Sequence, residues 1–484
     1  MINIKNILFS NTSLWQTVFK NFFWLFVGEF FSRFLRFLLV ILAIKILGPQ
    51  EWGVFAYAVG FGALVTILVD IGVSPVLTRE IAKDNSQENV VRVLSNSAFI
   101  KFATTLIGFI IVFFLSPYFS SMKEALPLFS LVALIITFDN IREFVFSVVR
   151  AFERMELEAF VNIVTNLGIL LTGLYVIYYF PSAYNLAFAY MIGSMVGAFY
   201  GIYLIKDKLK GLFSKISLSM VKMFFVASMP FALYQSLSAA LFNTDLYLIG
   251  YFKGAKDVGF YSAFQRIALL IFVLPSIFSS SIFPKFSKFS PSDKDKLLDI
   301  LQKSLKISLF IGLPLSIFAI VFADKIIPLI FSQEFSQHTL TFQVLMFTFL
   351  LAFPMSIFGN LLFSLHREKE FIKLFIISFL INLIFDILLI DKYGILGAAF
   401  GVFVAQAFST SYFYYLSKQI FKKPIFYNVS KIVLSSILLF AFLMFLSFLN
   451  INYIISLASG VLFYILVLRY LKEDLLLKLK ALRG

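Results

Sequence analysis

The sequence predicts an all-α integral membrane protein of about fourteen transmembrane helices. Three observations predict it. Of 484 residues, 60% are hydrophobic and only 14% charged, too little charge to cover a soluble surface of that size. Mean hydropathy is +0.93. Apolar runs of bilayer length recur down the whole chain, without the short-period alternation of an outer-membrane barrel.

In chain order, the first run, 22–46, is dense in Phe and Leu yet holds Glu29, Arg33 and Arg36. Its length, those charges and the Gly48-Pro49 that follows argue against a cleaved signal peptide. Run 54–77 ends before the basic Arg79 and Lys83, and 97–115 follows a polar loop. Run 126–149 carries Asp139, Arg142 and Glu143. Runs 160–180 and 184–204 are split by Pro181, and 224–250 and 260–283 by Gly254. The remainder are 305–322, 341–364, 371–390, 395–416, 432–449 and 453–468, each bounded by charged or turn-forming residues.

The net charge of +15 is distributed by side. Loops after even-numbered runs, with both termini, hold about 31 of the 41 basic residues, and the other side about six. This predicts cytoplasmic termini without calling on nucleic acid as a partner. The segment 472–483, leucines among charges, reads as an amphipathic helix on the inner surface. No loop exceeds about 25 residues, so no soluble catalytic domain is expected. No G-x-x-x-x-G-K-[ST] occurs, and there is no cysteine; His338 and His366 lack metal-ligand spacing. The expected protein is a carrier with no cofactor, no metal and no catalytic residue.

The chain repeats itself. Gly48-Pro49-Gln50-Glu51-Trp52-Gly53-Val54-Phe55 and Gly254-Ala255-Lys256-Asp257-Val258-Gly259-Phe260-Tyr261 both read G-x-x-acid-x-G-x-aromatic at equivalent junctions. Gly48, Gly53, Gly254 and Gly259 are therefore predicted turn residues. Two pseudo-symmetric six-helix lobes follow, 1–210 and 211–420, with the last two helices and the tail in 421–484.

Ionisable residues inside spans are costly and mark cavities or partners. Glu29, Arg33 and Arg36 fall within an arc of about 60° on one helix face. Glu29 and Arg33 can pair at i,i+4, which leaves Arg36 without a visible partner, about 15 Å from the outer end. Asp139 and Arg142 either pair within their helix or serve function. Asp70 lies near the cytoplasmic end of its span; Asp245 and Arg266 lie near outer ends, and Asp386 four residues from the end of its run.

The run Ile46-Leu47-Gly48-Pro49-Gln50-Glu51-Trp52-Gly53, then Asp70-Ile71-Gly72 and Arg79-Glu80-Ile81-Ala82-Lys83, resembles the opening of bacterial polysaccharide flippases (Wzx-type O-antigen transporters). These belong to the multidrug/oligosaccharidyl-lipid/polysaccharide superfamily. Asp245-Leu246-Tyr247-Leu248-Ile249-Gly250-Tyr251-Phe252, Val258-Gly259-Phe260-Tyr261, Leu274-Pro275 and Phe283-Pro284-Lys285 resemble its second-half pattern. Asn382 and Lys392-Tyr393-Gly394-Ile395-Leu396-Gly397 resemble its stretch around spans eleven and twelve; Asp391 and Asp386 depart from the usual Pro and Asn. The resemblance implies a MATE-like fold in the cytoplasmic membrane. It implies translocation of an undecaprenyl-diphosphate-linked oligosaccharide, such as an O-antigen repeat unit, from inner to outer leaflet. It also implies coupling to an H+ or Na+ gradient and contact with polysaccharide polymerase machinery. Arg33, Arg36, Arg142 and Arg266 are then candidate diphosphate ligands, because guanidinium groups suit phosphate oxygens. Glu29, Asp70 and Asp139 are candidate ion or proton sites. Three rivals remain: a lipid-linked peptidoglycan-precursor flippase, a multidrug or cation antiporter, and a membrane polysaccharide polymerase. The antiporter should have acids dominating its cavity, and the polymerase should have a large outer catalytic loop.

Overall fold

The computed structural model describes residues 9, 14–69, 71–289, 293–365 and 367–475. All regular structure among them is helical. Asp70, His366 and the tail from 476 onward, including most of the expected amphipathic segment, lie outside the described residues. The chain divides into two compact units, Met1–Gly259 and Phe260–Gly484.

In the first unit, helix α1 (Leu14–Val69) joins the first two predicted spans through a break at Gly48, whose φ of 73° and ψ of 176° are not helical. Short α2 (Val73–Lys83) starts at left-handed Gly72. It is followed by α3 (Gln87–Ile110), capped by the Ser86 side chain and extended by a π turn over Ile111–Leu115. Next come α4 (Leu128–Ala151), α5 (Met155–Tyr179), α6 (Ala183–Ile205) and α7 (Leu218–Phe252). Helices α5 and α6 approach closely because small residues face each other. A methyl group on Gly197 would lie 1.8 Å from Thr165 Oγ1. Such small-residue seams let backbones meet where no hydrophobic driving force acts between helices in lipid.

The two repeat junctions meet inside this unit. A Cβ on Gly53 would fall 1.8 Å from the Ala255 carbonyl oxygen, and one on Gly259 would fall 1.8 Å from that of Pro49. The contact is reciprocal. Gly48 and Gly254 supply the positive φ values that turn the chain, 73° and 88°. Gly53 and Gly259, predicted as turn residues too, are instead helical, and what requires glycine there is the close approach of the opposite backbone.

Helix α7 packs against α1 and α2, so the compact division falls at Gly259 rather than at the 210/211 lobe boundary expected from the repeat. Helix α8 (Ala255–Ser287) crosses the division. The second unit continues with α9 (Lys294–Val321), α10 (Ala323–Ile330), α11 (Thr339–Ser364), α12 (Glu368–Tyr393), α13 (Ile395–Phe421), α14 (Ser430–Phe448) and α15 (Tyr453–Tyr470). One core there is built around Phe286, Leu301, Phe358 and Phe413. Another joins α9, α14 and α15 through Leu439, Leu443 and Leu468.

Among the described residues, nine helices are long and apolar enough to cross a membrane. Helix α4 is not one of the nine, because Asp139, Arg142 and Glu143 interrupt its apolar run. Three lysines counted from sequence as loop cations are buried. Lys20 pairs with Glu156 at 3.2 Å, Lys306 with Glu473 at 2.5 Å, and Lys101 donates to Asn140 at 3.0 Å. Lys20 and Lys306 neutralise their charge against a buried acid, the arrangement that makes burial tolerable.

Candidate functional site

The polar face of the first unit is assembled from α1, α4 and α5. On α1, Gly28 lies against Ala159 and Leu39 against Gly173, which seats the helix on α5. Glu29, Arg33 and Arg36 are all exposed on the flank of that contact. Arg33 Nε donates to Glu29 Oε2 at 2.8 Å, and the two side chains are 62% and 53% exposed. The pair expected at i,i+4 therefore forms, with both side chains more than half exposed. Arg36 Nε donates to Asn166 Oδ1 on α5 at 3.0 Å. Asn166 is itself positioned by donating to the Asn162 carbonyl at 2.8 Å. The partner that the sequence does not reveal thus lies 130 residues away.

On α4, Arg142 Nη1 lies 3.1 Å from Asp139 Oδ1, with the guanidinium 5.8 Å from the Phe146 ring centroid. The arginine is largely buried and the aspartate is the more exposed partner, 14% against 43%. Arg142 Nε makes no hydrogen bond among the described residues. At the end of α4, Arg150 forms a bidentate pair with Glu158 at 2.8 and 2.5 Å and reaches Glu143 at 3.3 Å. That fork commits Arg150 to structure, since both its directed donors are used. Arg266 lies half-buried on α8 in the second unit, and Asp70 lies outside the described residues.

The arrangement has a physical consequence. An arginine more than half exposed in a helix dense in Phe and Leu faces either hydrocarbon or water, and hydrocarbon is the costly choice. Phe22, Phe26, Phe30 and Phe34 form a separate exposed stripe, stacked ring on ring. That stripe is suited to lipid, and the cationic flank beside it is suited to a wet surface that takes anions.

A family model described as polysaccharide biosynthesis protein matches residues 18–290, more than half of the chain. The chain belongs to that family. A second model, MatE, matches residues 230–389. Capsular polysaccharide biosynthesis protein CapF of Staphylococcus aureus is 23% identical over 83% of this chain and 100% of its own length. The probable low-salt glycan biosynthesis flippase Agl15 of Haloferax volcanii is 24% identical over 92% of this chain and 93% of its own. Among solved structures, the lipid II flippase MurJ in an inward closed conformation superposes with a TM-score of 0.75 at 17% identity, covering 93% of this chain and 99% of that one. An inward-facing MATE family multidrug transporter gives 0.61 at 14% identity, over 82% and 94%. The likeness establishes the fold. The protein is an all-α, multi-pass membrane protein of the MATE-like transporter architecture.

Sequence reasoning passes over one polar centre in the second unit. Asp386 on α12 is wholly buried, and Asn382, one turn earlier, donates to its Oδ2 at 3.2 Å. Helix α13 closes over them: a methyl group on Gly401 would lie 2.6 Å from Asp386 Oδ1. The signal is the pair Asn382 and Asp386 at i,i+4 on an apolar helix.

Proposed function

We propose that this protein is a flippase for an undecaprenyl-diphosphate-linked oligosaccharide, an O-antigen or other surface-polysaccharide repeat unit. It carries that substrate from the inner to the outer leaflet of the cytoplasmic membrane by alternating access. The observation that carries the reading is the exposed pair Arg33 and Arg36 on an apolar helix, in a chain of the polysaccharide biosynthesis family. A glycan and a diphosphate cannot cross hydrocarbon unaided, because their polar groups would lose water without replacement. Arg33 and Arg36 give the diphosphate charge-assisted bonds, with Arg142 lending its unused Nε and Arg266 meeting the head group nearer the outer side. Two six-helix lobes, 1–210 and 211–420, rock about the site, and 421–484 is an addition to them. The names of CapF and Agl15 support a role in polysaccharide or glycan biosynthesis, and transport needs no catalytic residue.

Both termini are cytoplasmic in this reading, with the α8–α9 connection, inside the 284–304 segment expected there, on the same side; contact with polysaccharide polymerase machinery belongs to the outer face, where the substrate is delivered. An H+ or Na+ gradient drives the cycle through Glu29, Asp70 or Asp139, to which burial adds Asp386. A carboxylate removed from water in a membrane must be compensated by a proton, a cation or hydrogen bonds, and such a site can take an ion on one side and release it on the other.

The test is transport of a fluorescent lipid-linked oligosaccharide in proteoliposomes with an imposed gradient. Glu29→Gln, Asp70→Asn, Asp139→Asn and Asp386→Asn are compared with the parent. At least one should abolish gradient-driven transport while leaving substrate binding intact; if none does, ion coupling through these acids is wrong. Orientation is read separately, by labelling Lys296→Cys in this cysteine-free chain from one side of the membrane.

A further inference from the structure

The first unit contains a crevice of about 320 Å³ between α3, α4 and α6, with none of the arginines on its lining. It runs along α3 from Ala98 to Phe109, about 17 Å at the helical rise. That is close to the depth of one leaflet of a hydrocarbon core about 30 Å thick. Its mouth is apolar and open, with Phe102 64% and Leu106 48% exposed. The polar side chains on its wall are satisfied within the protein. Lys101 donates to Asn140, Asn140 to Thr105, and Thr137 to the Ala133 carbonyl. The wall therefore presents hydrocarbon to whatever enters.

The end of the crevice is different. Leu209 and Leu212, which close it, belong to a loop that carries Lys206, Lys208, Lys210 and Lys215. The loop is fastened to α3: Asn96 Nδ2 donates to the Lys215 carbonyl at 2.9 Å, and Ser217 N donates to Asn96 Oδ1 at 2.8 Å. Lys210 and Lys215 are answered by Asp207 and Glu88. The ammonium groups of Lys206 and Lys208 instead lie over aromatic rings, 4.6 Å from the Tyr203 and 4.2 Å from the Phe152 centroid, and both residues are exposed.

We propose that this crevice is a binding site for an anionic phospholipid of the bilayer, one acyl chain in the slot and the phosphate on Lys206 and Lys208. Basic clusters at the cytoplasmic ends of membrane helices attract anionic head groups in this way. The slot's length selects a phospholipid chain over the undecaprenyl chain of the transported substrate, which is far longer than one leaflet is deep. Placing the site in the inner leaflet rests on the orientation given above; the binding itself does not.

Full-length protein with Leu106→Cys, labelled with a bimane fluorophore, is reconstituted in phosphatidylcholine vesicles containing brominated phosphatidylglycerol. Quenching at Leu106 should saturate at low mole fraction, whereas a label at Leu434→Cys, exposed in the second unit, should follow the bulk lipid ratio. Lys206→Gln and Lys208→Gln should each weaken the preference about fivefold. Both lysines are exposed, so the variants should fold, and an unchanged melting temperature checks this. Equal quenching at Leu106 by brominated phosphatidylcholine and phosphatidylglycerol, or no response to the two lysine variants, would overturn the proposal. Displacement of the quencher by undecaprenyl phosphate would overturn it in favour of the substrate's own chain. The readout involves no transport, so failure of the flippase reading would leave it standing.

Discussion

In the first unit, Glu29 and Arg33 sit in an apolar helix and are more than half exposed; in the second, Asp386 sits in another apolar helix and is completely buried. Both regions place charge-bearing groups in apolar helices, where each costs free energy in hydrocarbon unless something compensates it. Helix α1 does so by presenting its groups at a surface, with a loose pair between neighbours on one helix. Helix α12 does so by enclosure, with Asn382 as donor and Gly401 of α13 close enough to exclude anything larger. The difference predicts different sensitivities. Substitutions on α1 should change what the protein binds and leave its stability alone. Substitutions around Asp386 should change stability first.

The largest effect should be on α1. Replacing Arg33 or Arg36 by Ala removes a charge-assisted bond worth about 1.5–3 kcal/mol, so affinity for a lipid diphosphate should fall about 10- to 150-fold. Lys should restore only part of it, since it keeps the charge but lacks the fork. The melting temperature should barely move. If Arg36→Ala folds normally and binds the diphosphate as tightly as the parent, Arg36 serves Asn166 and the fold, and the comparison collapses on that side.

The next effect tests the enclosed centre. Gly401→Ala drives a methyl group to within contact of Asp386 Oδ1 and Asn382 Nδ2, 2.6 and 3.2 Å from the ideal Cβ position. Overpacking of this kind costs about 1–3 kcal/mol, so thermal unfolding in detergent should shift down by several degrees. No shift would mean that α12 and α13 can separate freely there, and Asp386 would lose its enclosure.

Much of this contrast is legible in the amino-acid sequence. The apolar runs fall on helices, and the repeat places Gly48 and Gly254 at what prove to be turns of positive φ. Glu29 and Arg33 pair as their spacing predicts, because an i,i+4 contact is local. Asn166 is not foreseeable as the acceptor for Arg36, because the packing of α5 on α1 brings it there and no periodicity encodes that contact. The end of the apolar run sets Asp386 too near a helix end. Helix α12 runs on to Tyr393, and what buries the acid is the close approach of α13 at glycine positions, a tertiary fact. The buried Lys20, Lys101 and Lys306 mislead in the same way, since counting basic residues by loop cannot distinguish a solvated lysine from a paired one.

A smaller effect measures how loose the α1 pair is. A double-mutant cycle with Glu29→Gln and Arg33→Gln should give a coupling of about 0.5 kcal/mol or less, the ordinary range for an exposed i,i+4 pair. A coupling of about 2 kcal/mol would show that the pair is held by its surroundings, as Asp386 is.

The smallest effect lies outside the spans, in water, and supplies the baseline for both regions. Glu80 on α2 accepts from Arg79 Nε and Lys83 Nζ, each at 2.9 Å to Oε1. Its partial burial would raise the carboxyl pKa, but the hydrogen bonds and charges of Lys83 and Arg79 outweigh that and hold it below the usual glutamate range. The sign follows from the folded value lying below the unfolded one. Stability from this group is fully present above the unfolded glutamate pKa of about 4.3 and is lost as pH falls through the lower folded value. Both cationic partners are about half exposed, so screening keeps the contribution under about 1 kcal/mol. Melting temperatures of the parent and Glu80→Gln should therefore differ slightly at neutral pH and converge as the pH falls below the unfolded glutamate value of about 4.3 and through the lower folded one. A gap that stays constant through that range would mean that Glu80 acts by packing rather than by charge. A gap as large as that of Gly401→Ala would mean that charge in water is worth as much here as enclosure in the membrane, and the distinction between the two regions would fail.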